Sequence, residues 1–183
     1  MPAAACPDDA HTMPSGKAHD RITLVTAALS WPVWWLASPV QDPWAYAAGV
    51  AAYVFSGFYL SGDLDTRCAA LKRWGPLQGL WYPYQKLVPH RSWISHGIGI
   101  GPLLRVAYFI GALWLIGLAA LALINYWILP IHGDAPLRTA AIWLLDLFWR
   151  HLRITEWAVG GLILGGVAHS AADSVVSALK RAW

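Results

Sequence analysis

Charge is what this chain has least of. Asp, Glu, Lys and Arg together make up 13% of 183 residues against a hydrophobic share of 57%, and only ten residues are acidic. Soluble domains carry about 25% charged residues, so the composition points away from an ordinary water-soluble fold. Cysteine is nearly absent as well. Cys6 and Cys68 alone exclude a disulfide framework and a cysteine-rich zinc module. Cys68 closely follows an aspartate cluster and has two readings, a small interfacial residue or an additional ligand. A positive stretch followed by an apolar run is missing from the first twenty residues, so no cleaved signal peptide is read. The net charge of +3 comes without a basic stripe interleaved with aromatics, so nucleic acid is not an expected partner.

Tryptophan is in excess, with 13 Trp beside 7 Tyr. Amphipathic rings favour the boundary between bilayer and water. Four apolar stretches have the length of a crossing or approach it, at residues 22–37, 44–60, 103–129 and 156–167. Pro32 is expected to kink the first, and Ser61-Gly62 and Pro130 close the second and third. The fourth has Thr155 as its expected N-cap and nears the roughly 20 residues of a full span only when extended to Val176. Between residues 136 and 151, Leu137, Ala140, Ala141, Leu144, Leu145 and Phe148 recur at helical spacing opposite Arg138, Asp146 and Arg150. That spacing predicts an amphipathic helix. Residues 66–95 mix Trp74, Trp81, Tyr82, Tyr84 and Trp93 with Lys72, Arg73, Lys86 and Arg91, a pattern of interfacial anchoring or of a lipid-contacting lip. The expected fold is all-α, a multi-pass membrane helical bundle of about four transmembrane helices plus one or two interfacial amphipathic helices. Residues 1–12 read as a disordered extension, with Met13 an alternative start, and residues 13–183 as one domain.

The scarce acids and histidines gather at the ends of these stretches. His169 and Asp173, at i and i+4, share one helix face and can chelate one ion. Asp63 and Asp65 follow a helix C-terminus, where the macrodipole disfavours carboxylates. They read as metal ligands or as loop acids paired with Arg67 and Lys72. His90 and His96, six apart, require a turn to reach one centre, and Arg91, Ser92 and Ser95 between them suit an anionic group. His19 is the candidate ligand of His19-Asp20, while Asp20 is an N-cap or a ligand. His11, His132 and His151 read as background. Following the four spans brings every cluster to one side. Lys17, Arg21, Arg67, Lys72, Arg73, Lys86, Arg91, Arg105, Lys180 and Arg181 fall on that side, against Arg138, Arg150 and Arg153 on the other. The positive-inside rule then makes the motif face and both termini cytoplasmic, in the inner membrane.

Ser15-Gly16 with His19-Asp20, Gly62-Asp63-Leu64-Asp65, His90-Arg91-Ser92-Trp93-Ile94-Ser95-His96-Gly97 and His169-Ser170-Ala171-Ala172-Asp173 resemble the motifs of a family of uncharacterised metal-binding membrane proteins of cyanobacteria and other bacteria. That family is similar to the LexA-regulated, membrane-bound, metal-dependent hydrolases. The resemblance covers residues 13–178 and marks His19, Asp63, Asp65, His90, His96, His169 and Asp173 as metal ligands. Gly62 stands where many relatives carry proline.

Seven N/O ligands exceed the set of a four-coordinate ion, so one or two divalent ions are expected, zinc first, with iron or manganese as alternatives. A metal-activated water would attack an ester or phosphoester of a lipid or membrane-associated substrate, with Asp65 or Asp20 as general base and Arg91 and Ser95 as anion contacts. Three rivals stand beside this reading. One is a non-enzymatic protein in which metal staples helix ends. Another is a metal-independent lipid phosphatase, suggested by Pro14-Ser15-Gly16 and the late HxxxD but lacking the expected Ser-Arg and Lys…Arg-Pro elements. The third, a transporter, is disfavoured because no ligand lies near the middle of a span.

Overall fold

The computed structural model describes residues 16–38, 41–65, 69–88, 99–127 and 136–182. Among them the chain is all-α: α1 (Gly16–Ala37), α2 (Pro43–Tyr59), a 3-10 turn (Gly62–Asp65), α3 (Ala69–Lys72), a second 3-10 segment (Gly75–Trp81), α4 (Tyr82–Leu87), α5 (Ile100–Trp127), α6 (Pro136–Arg150) and α7 (Leu152–Ala182). Local chemistry sets the start of α2. Asp42 caps it, with one carboxylate oxygen accepting from the Trp44 and Ala45 N–H groups at 3.0 and 3.2 Å, and Pro43 occupies a first-turn position that needs no donor.

The spine is α2 laid parallel against α7. A Cβ on Gly161 would lie 2.1 Å from the Gly49 carbonyl oxygen, and one on Gly165 2.3 Å from that of Tyr53. Two glycines four residues apart therefore let the backbones touch, the small-residue contact typical of helices in lipid. Ser56 adds a buried hydrogen bond across the seam, donating to the Leu162 carbonyl at 2.6 Å. α1 runs antiparallel to both. Trp34 meets Trp157 at one end (ring centroids 5.7 Å), and His19 meets Asp173 at the other. Near His19, Gly57 admits the Thr23 side chain, which would lie 2.3 Å from any Cβ placed there.

The short elements between α2 and α5 build the apolar core at that second end. Trp81 is fully buried, edge-on to Trp74 and stacked over Phe109, and Tyr84 and Leu64 are buried with it. The expectation of interfacial anchoring for this stretch is corrected for Trp74, Trp81 and Tyr84. They face Tyr108 and Phe109 of α5 because the two 3-10 segments and α4 fold back onto that helix. Leu77, Tyr82 and Leu87, with the cations Lys72, Arg73 and Lys86, are among the residues of this stretch that remain exposed.

The four-span expectation is also corrected. Among the described residues two helices are long and apolar enough to cross a membrane, Ile100–Ile124 of α5 and Leu152–Val176 of α7. Lys17, Asp20 and Arg21 occupy the first turns of α1, and the 17 residues of α2 rise only about 26 Å, short of a typical ~30 Å hydrocarbon core. α7 begins before Thr155, so that residue is not an N-cap. Its hydroxyl instead donates back to the His151 carbonyl at 3.0 Å. α1 continues through Pro32 to Ala37. The predicted amphipathic helix is α6, whose Leu144 lies over Gly117 of α5 while Arg150 pairs with Asp146 at 2.6 Å.

Candidate metal centre

At the end where α1 begins and α7 nears its finish, three donors converge. His19 comes from the first turns of α1. His169 and Asp173 lie one turn apart on α7, so the helix itself aims both at the same point. His19 Nε2 is 3.0 Å from Asp173 Oδ1, and His169 Nε2 is 3.5 Å from Asp173 Oδ2. The two imidazoles stack with centroids 4.1 Å apart. Donor atoms of all three residues fall within 4.8 Å of one another, and all three residues are buried.

These residues fit a divalent cation. With metal–ligand bonds of about 2.0–2.2 Å, donors around one ion sit roughly 3–4 Å apart; the two His–Asp173 pairs stand at 3.0 and 3.5 Å, and the whole set within 4.8 Å. Two imidazoles and one carboxylate suit zinc and iron alike. A buried carboxylate is costly without a cation beside it. A polar atom of the site adds to the case: His19 Nδ1 is buried with no hydrogen-bond partner among the described residues. Buried groups of that kind ordinarily have a partner, often a water or an ion.

Asp20 is placed otherwise than expected. α1 is already helical from Gly16, so Asp20 caps nothing. One carboxylate oxygen takes Arg73 at 2.7 Å, and Arg73 also donates to the Phe58 carbonyl at 2.9 Å, tying α1 to the end of α2. The Gly62–Asp65 turn packs against α7, with Leu64 in the core and its carbonyl accepting from Gln85 at 2.8 Å. The side chains of Asp63 and Asp65 lie outside the described residues, as do His90, Arg91, Ser95, His96 and Cys68. Of the seven expected ligands, His19, His169 and Asp173 are thus brought together. Of the background histidines, His151 sits exposed at the α6–α7 junction, and His11 and His132 are outside the described residues.

One residue was overlooked. Arg105, counted in the sequence as a surface cation, is fully buried in α5. Its guanidinium donates to the Leu60 carbonyl at 3.0 Å and to Ser170 Oγ at 3.4 Å, while Nε donates to the Gly101 carbonyl at 3.1 Å. It joins α2, α5 and α7 one residue from His169. A lone charge inside a long apolar helix was the available signal.

Compared with known proteins, the chain matches over residues 14–183 the family described as uncharacterized metal-binding protein (DUF2227), and it belongs to that family. No curated protein and no solved structure matches it.

Proposed function

We propose that this metal-binding protein is a metal-dependent hydrolase at a membrane surface, acting on an ester or phosphoester of a lipid or membrane-associated substrate. The observation that carries the reading is the donor chemistry: two imidazoles and one carboxylate meet in a buried site among the described residues. Two imidazoles with one carboxylate are a donor set that catalytic zinc sites use. A bound divalent ion supplies Lewis acidity and lowers the pKa of water. The chain's own part is to hold that charge. Asp173 offers one oxygen to each imidazole's side of the site, and the α1–α7 contact keeps His19 over His169. Asp65 takes the role of general base, with Asp20, one oxygen of which pairs with Arg73, as the alternative. Asp63, His90 and His96 complete a larger ligand set, with room for a second ion, and Arg91 and Ser95 bind the substrate's anionic group.

Apolar surface supports the membrane setting. From Ile110 to Ile124 no residue of α5 is buried, although a soluble core helix of that length would be covered by protein. Removing Arg105 from the count of surface cations leaves the excess of Lys and Arg on the metal side intact, so that side faces the cytoplasm.

A second reading is favoured by a separate observation: the ligands join the first described helix to the last and are deeply buried, as in a structural staple. One experiment separates the two. Metal content is measured on wild type, His169→Ala and Asp173→Ala, and hydrolysis of a panel of lipid esters and phosphoesters is followed before and after chelation and metal return. Hydrolysis lost on chelation and regained with metal supports the enzyme. A metal-loaded protein that turns over nothing yet melts lower when demetallated is the staple. Full metal content in both variants refutes the centre itself, and hydrolysis that survives complete demetallation refutes the metal-dependent reading.

A further inference from the structure

The opposite end of the bundle carries features that the metal centre leaves unused. Between Val33 and Trp34 of α1 and Glu156, Trp157, Gly160 and Leu164 of α7 runs an apolar cavity of about 440 Å³. At the junction of α6 and α7, a second cavity of about 410 Å³ is lined by Trp149, Arg150, His151, Arg153 and the α2 cap Asp42. Arg153 lines the second and stands one helical turn before Trp157 of the first. Arg153, Trp157, Gly160 and Leu164 stand at i, i+4, i+7 and i+11, one stripe of α7, so the cation tops the face that lines the apolar groove.

From these placements we infer a phospholipid site, with the phosphodiester at Arg153 and one acyl chain lying along the groove. Three observations carry it. Arg153 makes no ion pair among the described residues, and it sits in the first turn of α7, where the macrodipole is positive and a bound anion is favoured. Arg150, by contrast, is already paired with Asp146. The groove also has the right length: the eleven residues from Arg153 to Leu164 rise about 16 Å, close to half of a ~30 Å hydrocarbon core and so to one leaflet's chain. Finally, Asp42 lines the same cavity as Arg153 and Glu156 lines the adjoining groove, carboxylates that complement a headgroup carrying an ammonium on its phosphodiester. The site lies on the far side from the metal centre, since Arg153 and His169 are about 24 Å apart along α7, and it does not depend on hydrolysis.

Gly160 makes the test clean. A Cβ there meets nothing within 4 Å, so a larger side chain fills the groove without disturbing the helix seam. Native mass spectrometry on the full chain in detergent would count retained lipid after addition of phosphatidylethanolamine, phosphatidylglycerol, diacylglycerol with the same chains, or inorganic phosphate. The expected result is one retained phosphatidylethanolamine, held at least tenfold more tightly than diacylglycerol. Retention should fall at least tenfold in Gly160→Leu and in Arg153→Gln, with metal content unchanged in both. Equal retention of diacylglycerol, preference for phosphatidylglycerol, binding of inorganic phosphate alone, or full retention by either variant would each overturn the assignment.

Discussion

Gly57→Ala tests whether helix packing, remote from any ligand atom, holds the metal centre in shape. The new Cβ would sit 2.3 Å from Thr23 Cγ2 and 2.5 Å from Thr23 Oγ1. Ordinary carbon contacts begin near 3.5 Å, so α1 must retreat from α2 by on the order of 1 Å, because a β-branched side chain in a helix has little freedom to turn aside. Thr23 is one turn from His19 on the same face of α1, and the displacement passes directly to that imidazole. Metal sites tolerate about 0.2 Å in ligand distance. The expected outcome is metal affinity weakened roughly 10- to 100-fold, the range seen when groups that orient ligands are disturbed. Overpacking should also destabilise the protein by about 1–3 kcal/mol, a fall in Tm of roughly 2–12 °C for a chain of this size. Calorimetric metal titration and thermal unfolding measure both. The double variant Gly57→Ala with Thr23→Ala removes the two closest atoms and leaves Thr23 Cβ at 3.0 Å, so most of the loss should return. Wild-type affinity and Tm in the single variant, or a double variant no better than the single, would refute the reasoning.

The remaining predictions concern the seam and its buried polar groups. Gly161→Ala drives a methyl to 2.1 Å from a backbone oxygen that cannot move aside, so it should cost more stability than Gly160→Ala, whose Cβ has open space; equal melting temperatures would argue against the α2–α7 contact. Arg105→Met strips donors from the Leu60 and Gly101 carbonyls, with an expected loss of about 2–5 kcal/mol in chemical unfolding, since buried acceptors left without partners are expensive. Ser56→Ala removes one buried hydrogen bond across the seam and should cost only about 1 kcal/mol in the same assay.

Much of the helix pattern was legible because apolar runs and their stops are local. The expected boundaries of the second and third stretches fall within a few residues of α2 and α5, and the amphipathic spacing of residues 136–151 reports α6 directly. Errors came where length and apolarity had to be judged together. The first two stretches read as spans, although α1 opens on charged residues and α2 is short. The aromatic stretch before α5 misled for a related reason. A tryptophan facing lipid headgroups and one packed on Phe109 have the same local sequence signature, and only the fold-back of the 3-10 segments distinguishes them.

The sequence by itself determined that the chain is helical, that its scarce ionisable residues cluster at helix ends, and that His169 and Asp173 share a face, since i, i+4 spacing settles that within one helix. Tertiary structure supplied the contact by which His19, already a candidate ligand, meets them. His19 reaches Asp173 across the chain because Gly161 and Gly165 bring α2 and α7 to backbone contact and Gly57 admits the Thr23 side chain of α1, and such a distance depends on packing that no local pattern encodes. The same closure turned Arg105 from a surface charge into a buried tie among α2, α5 and α7.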